Sequence, residues 1–365
     1  MKRAGQSGLS LVELMISMTL GLVLLTGLVT VFSTSSRSQL ELQRSAQQIE
    51  NGRYAMDTIT QDLHHAGYYG QFYGFPVGTT VPDPCATGDE TALKTAMSFP
   101  IQFYPAADLS SIPNMSATTC ATWINSTNVQ PGSDILVVRR AETSPLAVGS
   151  TAVASEVYLQ ANIASAEIQF GNGAAITSTS KATGAAATVK KKDGLMAGDI
   201  FKYRVHIYFV ATCSLPSGGG VICTGAADDA GRPIPTLKRL ELGVSGGART
   251  FTVMPIAEGI DFLKVQLGID ETPAAVNSNT GVIGDGAADR YITAPTAPSV
   301  AELGNAVGAK VGILSRNTEL SPGHTDDKTY VLAGTNVPAF NDQYKRHAYQ
   351  SEIRLVNMSS RRENP

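Results

Sequence analysis

An acidic side chain at the edge of an apolar run is the first residue whose type and place demand chemistry. Glu13 immediately precedes residues 14–32, a stretch without one charged group. In lipid a carboxylate is costly and takes a partner or a water-filled site. Two readings stand: Glu13 snorkels to the headgroup level, or it meets a cation supplied by another molecule. Such a pair sets register more than it adds stability, because desolvation offsets much of the Coulomb gain.

The other reactive groups are Cys85, Cys120, Cys213 and Cys223. None lies in a CxxC spacing and no histidine pattern completes a zinc site, so disulfides are expected. Four cysteines allow three connectivities; the sequence-local one joins Cys85 to Cys120 and Cys213 to Cys223 in an oxidising compartment.

Further chemistry is not evident. There is no P-loop, GxSxG, HExxH or complete EF-hand pattern. The histidines, 64, 65, 206, 324 and 347, are scattered, and His64 and His65 are adjacent, which prevents an i, i+4 metal pair. Asp285 and Asp289, and Asp326 with Asp327, offer oxygens for Ca²⁺ but no ordered ligand set. No catalytic residue, cofactor or metal is assigned, and the expectation is a protein that is not an enzyme. A net charge of -3 over 365 residues gives no general pull toward nucleic acid.

These residues must be placed by the elements around them. At about 1.5 Å per residue, the run 14–32 just spans a bilayer core of about 30 Å. Lys2 and Arg3 precede it, which keeps the start of the chain cytoplasmic and sends the bulk outward. A secretory signal places small residues at a cut after its apolar region. Here the candidate cut, between Gly8 and Leu9, lies before it, so cleavage leaves the hydrophobic helix in place as an anchor.

Gly8, then Leu9-Ser10-Leu11-Val12-Glu13-Leu14-Met15-Ile16, resembles the class III prepilin signature in type and spacing. The resemblance implies cleavage after Gly8, N-methylation of Leu9, and pairing of Glu13 with the freed α-amino group of a neighbouring subunit. Two departures stand out: Leu9 replaces the usual phenylalanine, and Thr30 stands where many major pilins have a kinking proline. The second favours a minor subunit.

Past Phe32 the pattern is amphipathic. Leu42, Ile49, Met56 and Leu63 recur every seven residues, flanked by Ala46, Ile59 and Ala66, which predicts a helix packed on a head as far as Gly67. Arg37, Glu41, Arg44, Glu50 and Arg53 fall on its outer side. Gly52-Arg53-Tyr54-Ala55-Met56 and Asp62-Leu63-His64-His65-Ala66-Gly67-Tyr68-Tyr69-Gly70 resemble the PilW family of type IV pilus assembly proteins. So do Ile234-Pro235-Thr236-Leu237-Lys238-Arg239-Leu240, Glu258-Gly259-Ile260-Asp261-Phe262, Lys310 to Arg316 and Ile353 to Asn357. Asp62 and His64 read as helix-end structure.

The remainder reads as strands at 135–140, 201–211, 237–242, 250–256, 263–269, 307–314 and 352–356. In the second of these, period two puts Lys202, Arg204 and His206 opposite an apolar face, and His206 is expected in solvent. The fold class is α+β, pilin-like, with a long N-terminal helix on a β-rich head of two sheets or lobes. The expected divisions are a leader 1–8, a transmembrane half 9–32, a periplasmic half 33–67, a first lobe 68–198 and a second lobe 199–365. Residues 171–198, rich in Ala, Gly, Ser and Thr, read as a linker, and Lys190-Lys191-Lys192 as solvated loop charge.

The resemblance implies a minor pilin that primes type IV pili for twitching, adhesion or DNA uptake. Its implied partners are other minor pilins, the major pilin, the prepilin peptidase, the inner-membrane assembly platform and a large tip adhesin; no direct nucleic-acid contact is expected. Its implied location is the bacterial inner membrane, single-pass with a periplasmic head, then the pilus tip. A J-type minor pseudopilin of type II secretion shares this logic. A membrane-tethered periplasmic enzyme or receptor is the reading of a different class.

Overall fold

The computed structural model describes residues 10–74, 78–271 and 284–363. The chain divides into two compact units, Met1–Gln47 and Gln48–Pro365. Gly8 and Leu9, and with them the candidate cut, lie outside the described residues.

The described residues of the first unit, 10–47, are helical from Leu11 onward, and helix α1 has the bounds Leu11–His64. Its most apolar 18-residue window has a mean hydropathy of 2.2, is long enough to cross a membrane and has none of its residues buried. Within it Ser17, Thr19, Thr26, Thr30 and Thr34 each donate a hydroxyl to a carbonyl three or four residues back, at 2.8 to 3.0 Å. In lipid every polar hydrogen needs a partner from the segment itself, and these bonds supply it. Thr30 thus sits in a hydrogen-bonded helical turn where a proline would remove a backbone donor.

The second unit holds the rest of α1 and the β-rich head. In chain order the further elements are α2 (Glu90–Ala96), β1 (Ile101–Tyr104), β2 (Ile135–Ala141), β3 (Val157–Ala161), β4 (Ala166–Phe170), β5 (Asp199–Ala211), β6 (Thr236–Ser245), β7 (Ala248–Glu258), β8 (Ile260–Ile269) and β9 (Arg290–Ile292). They are followed by α3 (Val300–Gly304), β10 (Ala306–Arg316), β11 (Tyr330–Leu332), β12 (Thr335–Val337), β13 (Arg346–Arg354) and α4 (Val356–Glu363). Seven strands form one sheet in the order β1-β2-β5-β3-β4, with β6 and β7 added through β5; four form a second, β13-β10-β8-β9; β11 and β12 make a hairpin.

β5 is the spine. Its start, Asp199–Lys202, pairs with β3, its middle with β2 and its end with β6. A boundary at 198/199 therefore falls within the first sheet; the sheets change between β7 and β8, at Glu258–Ile260. That corrects the expected lobes, because one long strand serves residues from both sides of the expected division.

Alternation sets two cores. Ile135 and Val137 of β2 and Tyr203, Val205, Ile207 and Phe209 of β5 join one, closed over by the segments that carry the cysteines. Leu136, Val138, Tyr208 and Val210 point the other way, into a core shared with Ala55, Ile59, Leu63 and Ala66 and with the second sheet. The first sheet is therefore buried on both faces. The apolar stripe of α1 is narrower than expected: Leu42 and Ile49 are exposed and the buried set is Ala55, Ile59 and Leu63 with Gln48, Gly52 and Asp62.

Residues 171–198 are not a linker. Isolated bridges join Thr151 to Ala175, Ser180 to Ala186 and Lys190 to Ala197, and Ile176 and Ala182 are buried with Tyr158 and Ile200. Small residues here permit tight folding under side-chain amides: Gln160 Nε2 donates to Ser180 O and Gly198 O at 3.2 and 3.0 Å, and Gln169 Oε1 accepts from Ala182 N at 2.8 Å.

Both disulfides have the sequence-local pairing, Cys85–Cys120 closing a separation of 35 residues and Cys213–Cys223 one of 10. Chain-entropy arithmetic gives roughly 3–4 kcal/mol for the longer loop and somewhat under 3 for the shorter. Replacing Cys85 and Cys120 together by serine is accordingly expected to lower the urea midpoint more than replacing Cys213 and Cys223. Equal shifts, or the reverse order, would count against the loop-length account.

Candidate assembly helix and its buried clasp

At the start of α1, Ser10 acts as the cap. Its carbonyl accepts from Leu14 N at 3.1 Å, and its own N–H donates to Glu13 Oε2 at 3.1 Å. An acid in the first helical turn satisfies one of the orphan donors there and complements the positive end of the dipole. Within a single chain Glu13 is therefore occupied by its own helix end. The position remains exposed, so its carboxylate can exchange this weak local bond for a cation from outside.

At the other end of α1 the sequence reading missed a site. Asp62, in the last turn and 4% exposed, receives Arg140 Nε at 2.6 Å on Oδ1, and His206 Nδ1 at 2.6 Å and the Tyr208 hydroxyl at 3.0 Å on Oδ2. His206 is buried, not in solvent, because the polar face of β5 packs under the helix end rather than facing water. Its Nε2 stands 3.8 Å from Glu241, an ion-pair distance rather than a hydrogen bond. Around this pair Arg239 holds Glu241 at 3.0 Å, and Arg204 binds Glu142 at 2.6 Å and approaches Glu241 at 3.4 Å.

Burial alone would raise the Asp62 carboxyl, but His206 and then Arg140 outweigh it and hold it well below the ordinary carboxylate range. Glu241 is held down at about 2, first by His206 despite its own partial burial, then by Arg239 and Arg204. Both groups are thus ionised across the ordinary pH range. With Asp62 ionised, His206 Nδ1 must carry the proton that bridges them.

The signal for this clasp was present in the sequence. Residues 55, 59, 62 and 66 share one helical face, which sets an acid among apolar neighbours opposite a strand bearing Arg204 and His206. Further contacts fix the same stretch of helix. Gln48 Nε2 donates to Ser315 O and Lys345 O at 3.0 and 2.9 Å, Asn51 Nδ2 to Glu258 O at 3.1 Å, and Gly52 lies so close to the Tyr349 ring that a Cβ has no room.

Three of the four acids considered for calcium, Asp285, Asp289 and Asp326, have other work. Asp326 binds Arg346 at 2.9 Å and the Tyr330 hydroxyl at 2.8 Å, and the same buried guanidinium reaches Asp261 at 2.7 Å. Asp285 and Asp289 accept from the backbone N–H groups of Ala287 and Glu271. Among the described residues, the two places where cysteine and carboxylate ligand atoms converge, beside Asp83 and beside Asp228, are the two disulfides. Sulfurs bonded to each other are not thiolate ligands, and Asp228 already accepts from Ser217, Thr224 and Gly225 N.

Comparison with known proteins completes the description. Residues 3–29 match the prokaryotic N-terminal methylation motif, and residues 221–357 match the model described as Type IV Pilus-assembly protein W. No curated protein matches the chain. Among solved structures it is similar to a type IV-like pilin from Thermus thermophilus, 9% identical, covering 63% of this chain and 82% of that one with a TM-score of 0.26. The assignment rests on the two family matches. A prepilin-type N-terminus, a long apolar helix and a β-rich head are the parts of a type IV pilin. The matches over residues 3–29 and 221–357 support a PilW-type pilus assembly protein, a minor pilin of the type IV pilus.

Proposed function

We propose that the chain is cut between Gly8 and Leu9 by a prepilin peptidase, methylated on Leu9, and inserted at or near the filament tip, where it primes assembly. The observation that carries this reading is an apolar helix whose start lies within the methylation motif and bears one acid. Glu13 leaves its bond to Ser10 and pairs with the α-amino group of a neighbouring subunit, fixing the axial register of packed helices. The role is structural rather than catalytic.

The tip position follows from bulk. A head of more than 300 residues can join a helical stack at its end, whereas repeated addition within the stack would require that volume at every step. The partners of this reading are the other minor pilins, the major pilin, the inner-membrane assembly platform and a large tip adhesin. The head stands in the periplasm before assembly and at the cell surface after it.

N-terminal sequencing of protein isolated from cells tests the processing step. The expected first residue is methylated Leu9, and Gly8→Leu is expected to retain Met1 and abolish surface assembly. Met1 on the wild-type protein, or loss of residues 14–32, would overturn the reading.

A further inference from the structure

The end of the small-residue segment carries a surface that the assembly reading does not use. The turn joining β3 to β4 is closed by Asn162 Oδ1, which accepts from Ala164 N and Ser165 N at 2.8 and 2.6 Å. Its tip, Ile163, is 74% exposed. A second turn is closed by Lys191 N donating to Met196 O at 2.8 Å and by Asp193 Oδ1 accepting from Leu195 N and Met196 N at 2.9 and 3.0 Å. It presents Leu195 at 74% and Met196 at 43% exposure. The turns are tied together: Asn162 Nδ2 donates to Lys190 O at 2.6 Å, and Gly198 lies against the Ala161 carbonyl, 2.7 Å from where a Cβ would stand.

Charge surrounds these aliphatic tips. Lys190, Lys191 and Lys192 are exposed. Lys191 is paired with Asp199 at 2.8 Å, Glu167 is taken by Lys181, and Asp193 is bonded to the turn backbone. Among the described residues no ion pair engages Lys190 or Lys192.

Aliphatic side chains on turns already rigid, flanked by ammonium groups on long flexible stems, match a lipid interface: the tips enter the headgroup–acyl boundary and the cations remain at phosphate level. Nucleic acid fits less well, since neither turn has an aromatic ring to stack a base and phosphates leave the aliphatic tips wet. We propose that the paired turns form a docking face for an anionic phospholipid bilayer, with Ile163, Leu195 and Met196 inserted and Lys190 and Lys192 on the lipid phosphates.

All four native cysteines are in disulfides, so Leu195→Cys gives a unique labelling position. Full-length protein held in zwitterionic nanodiscs and labelled there with an environment-sensitive NBD dye is mixed with phosphatidylglycerol-containing vesicles. The expected result is a blue shift with a several-fold intensity gain, quenched by nitroxide-bearing lipid. The vesicle concentration at half-effect should rise about tenfold or more for Lys190→Glu with Lys192→Glu, and likewise in high salt for the unreversed protein. A label at Leu215→Cys, on another exposed loop, should stay in water. No shift with anionic vesicles, an equal shift with zwitterionic ones, insensitivity to both charge reversal and salt, or an equal shift at position 215 would each overturn the proposal.

Discussion

Asp62→Ala is expected to destabilise the head by about 3–5 kcal/mol, since removing one member of a buried ion cluster leaves the others desolvated and unpaired. His206 loses the carboxylate on its Nδ1, Arg140 the acceptor of its Nε, and Tyr208 its hydroxyl partner, all on the buried face of the first sheet. Urea unfolding of the full-length protein in detergent, followed by Trp123, the sole tryptophan, reads the loss directly. A change below about 1 kcal/mol, the range of an exposed pair, would show that the clasp does not hold the helix end. The pH dependence has a definite sign. Asp62 and Glu241 are both depressed in the folded state. Their contribution is therefore complete above the unfolded carboxylate values near pH 4 and is lost as pH falls through the folded ones. Stability should be flat across neutral pH on their account and decline from about pH 4 toward pH 2. Asp62→Asn should flatten part of that acid limb.

Glu13→Ala is expected to pass the peptidase normally yet enter filaments poorly, with incorporation into sheared pili reduced roughly tenfold or more, the factor equivalent to about 1.4 kcal/mol. Processing is expected to be unaffected because four residues, 9 to 12, separate the proposed cut from Glu13. The local bond to Ser10 N is weak and exposed, so its loss frays only the first turn. Immunoblots of pili and membranes, normalised to processed protein, separate the two steps. Undiminished incorporation would contradict the pairing with a neighbour's terminus.

Much of this arrangement was legible in the residues. The signature around Gly8 and Glu13, the apolar span, the helix end near Gly67, six of the strands and the end of a seventh are written in period and composition, though Val356, expected in that seventh strand, begins α4, and the cysteine pairing was the sequence-local choice. What escaped notice has two causes: polar side chains buried inside the head, and strands too short to show a period. β3 and β4 carry Gln160 and Gln169, which bond each other at 2.8 Å inside the head, so their strands do not alternate cleanly. β9, β11 and β12 are only three residues each, too short to show a period. On β5 the period was correct, but the nature of the polar face was not. Alternation tells which side chains share a side, and only the tertiary structure tells whether water or Asp62 lies there.

The partners of Asp62 are 78, 144 and 146 residues further along the chain, and the tyrosine beneath Gly52 is close to the other terminus. The helix therefore emerges during synthesis long before anything exists to cover Ala55, Ile59 and Leu63. So non-local a topology closes slowly, and the greasy stripe waits uncovered while it does. Residues 14–32, held in the bilayer, fix one end of the unfinished polypeptide during that interval, so the anchor serves as a cradle for maturation before it serves as a strut.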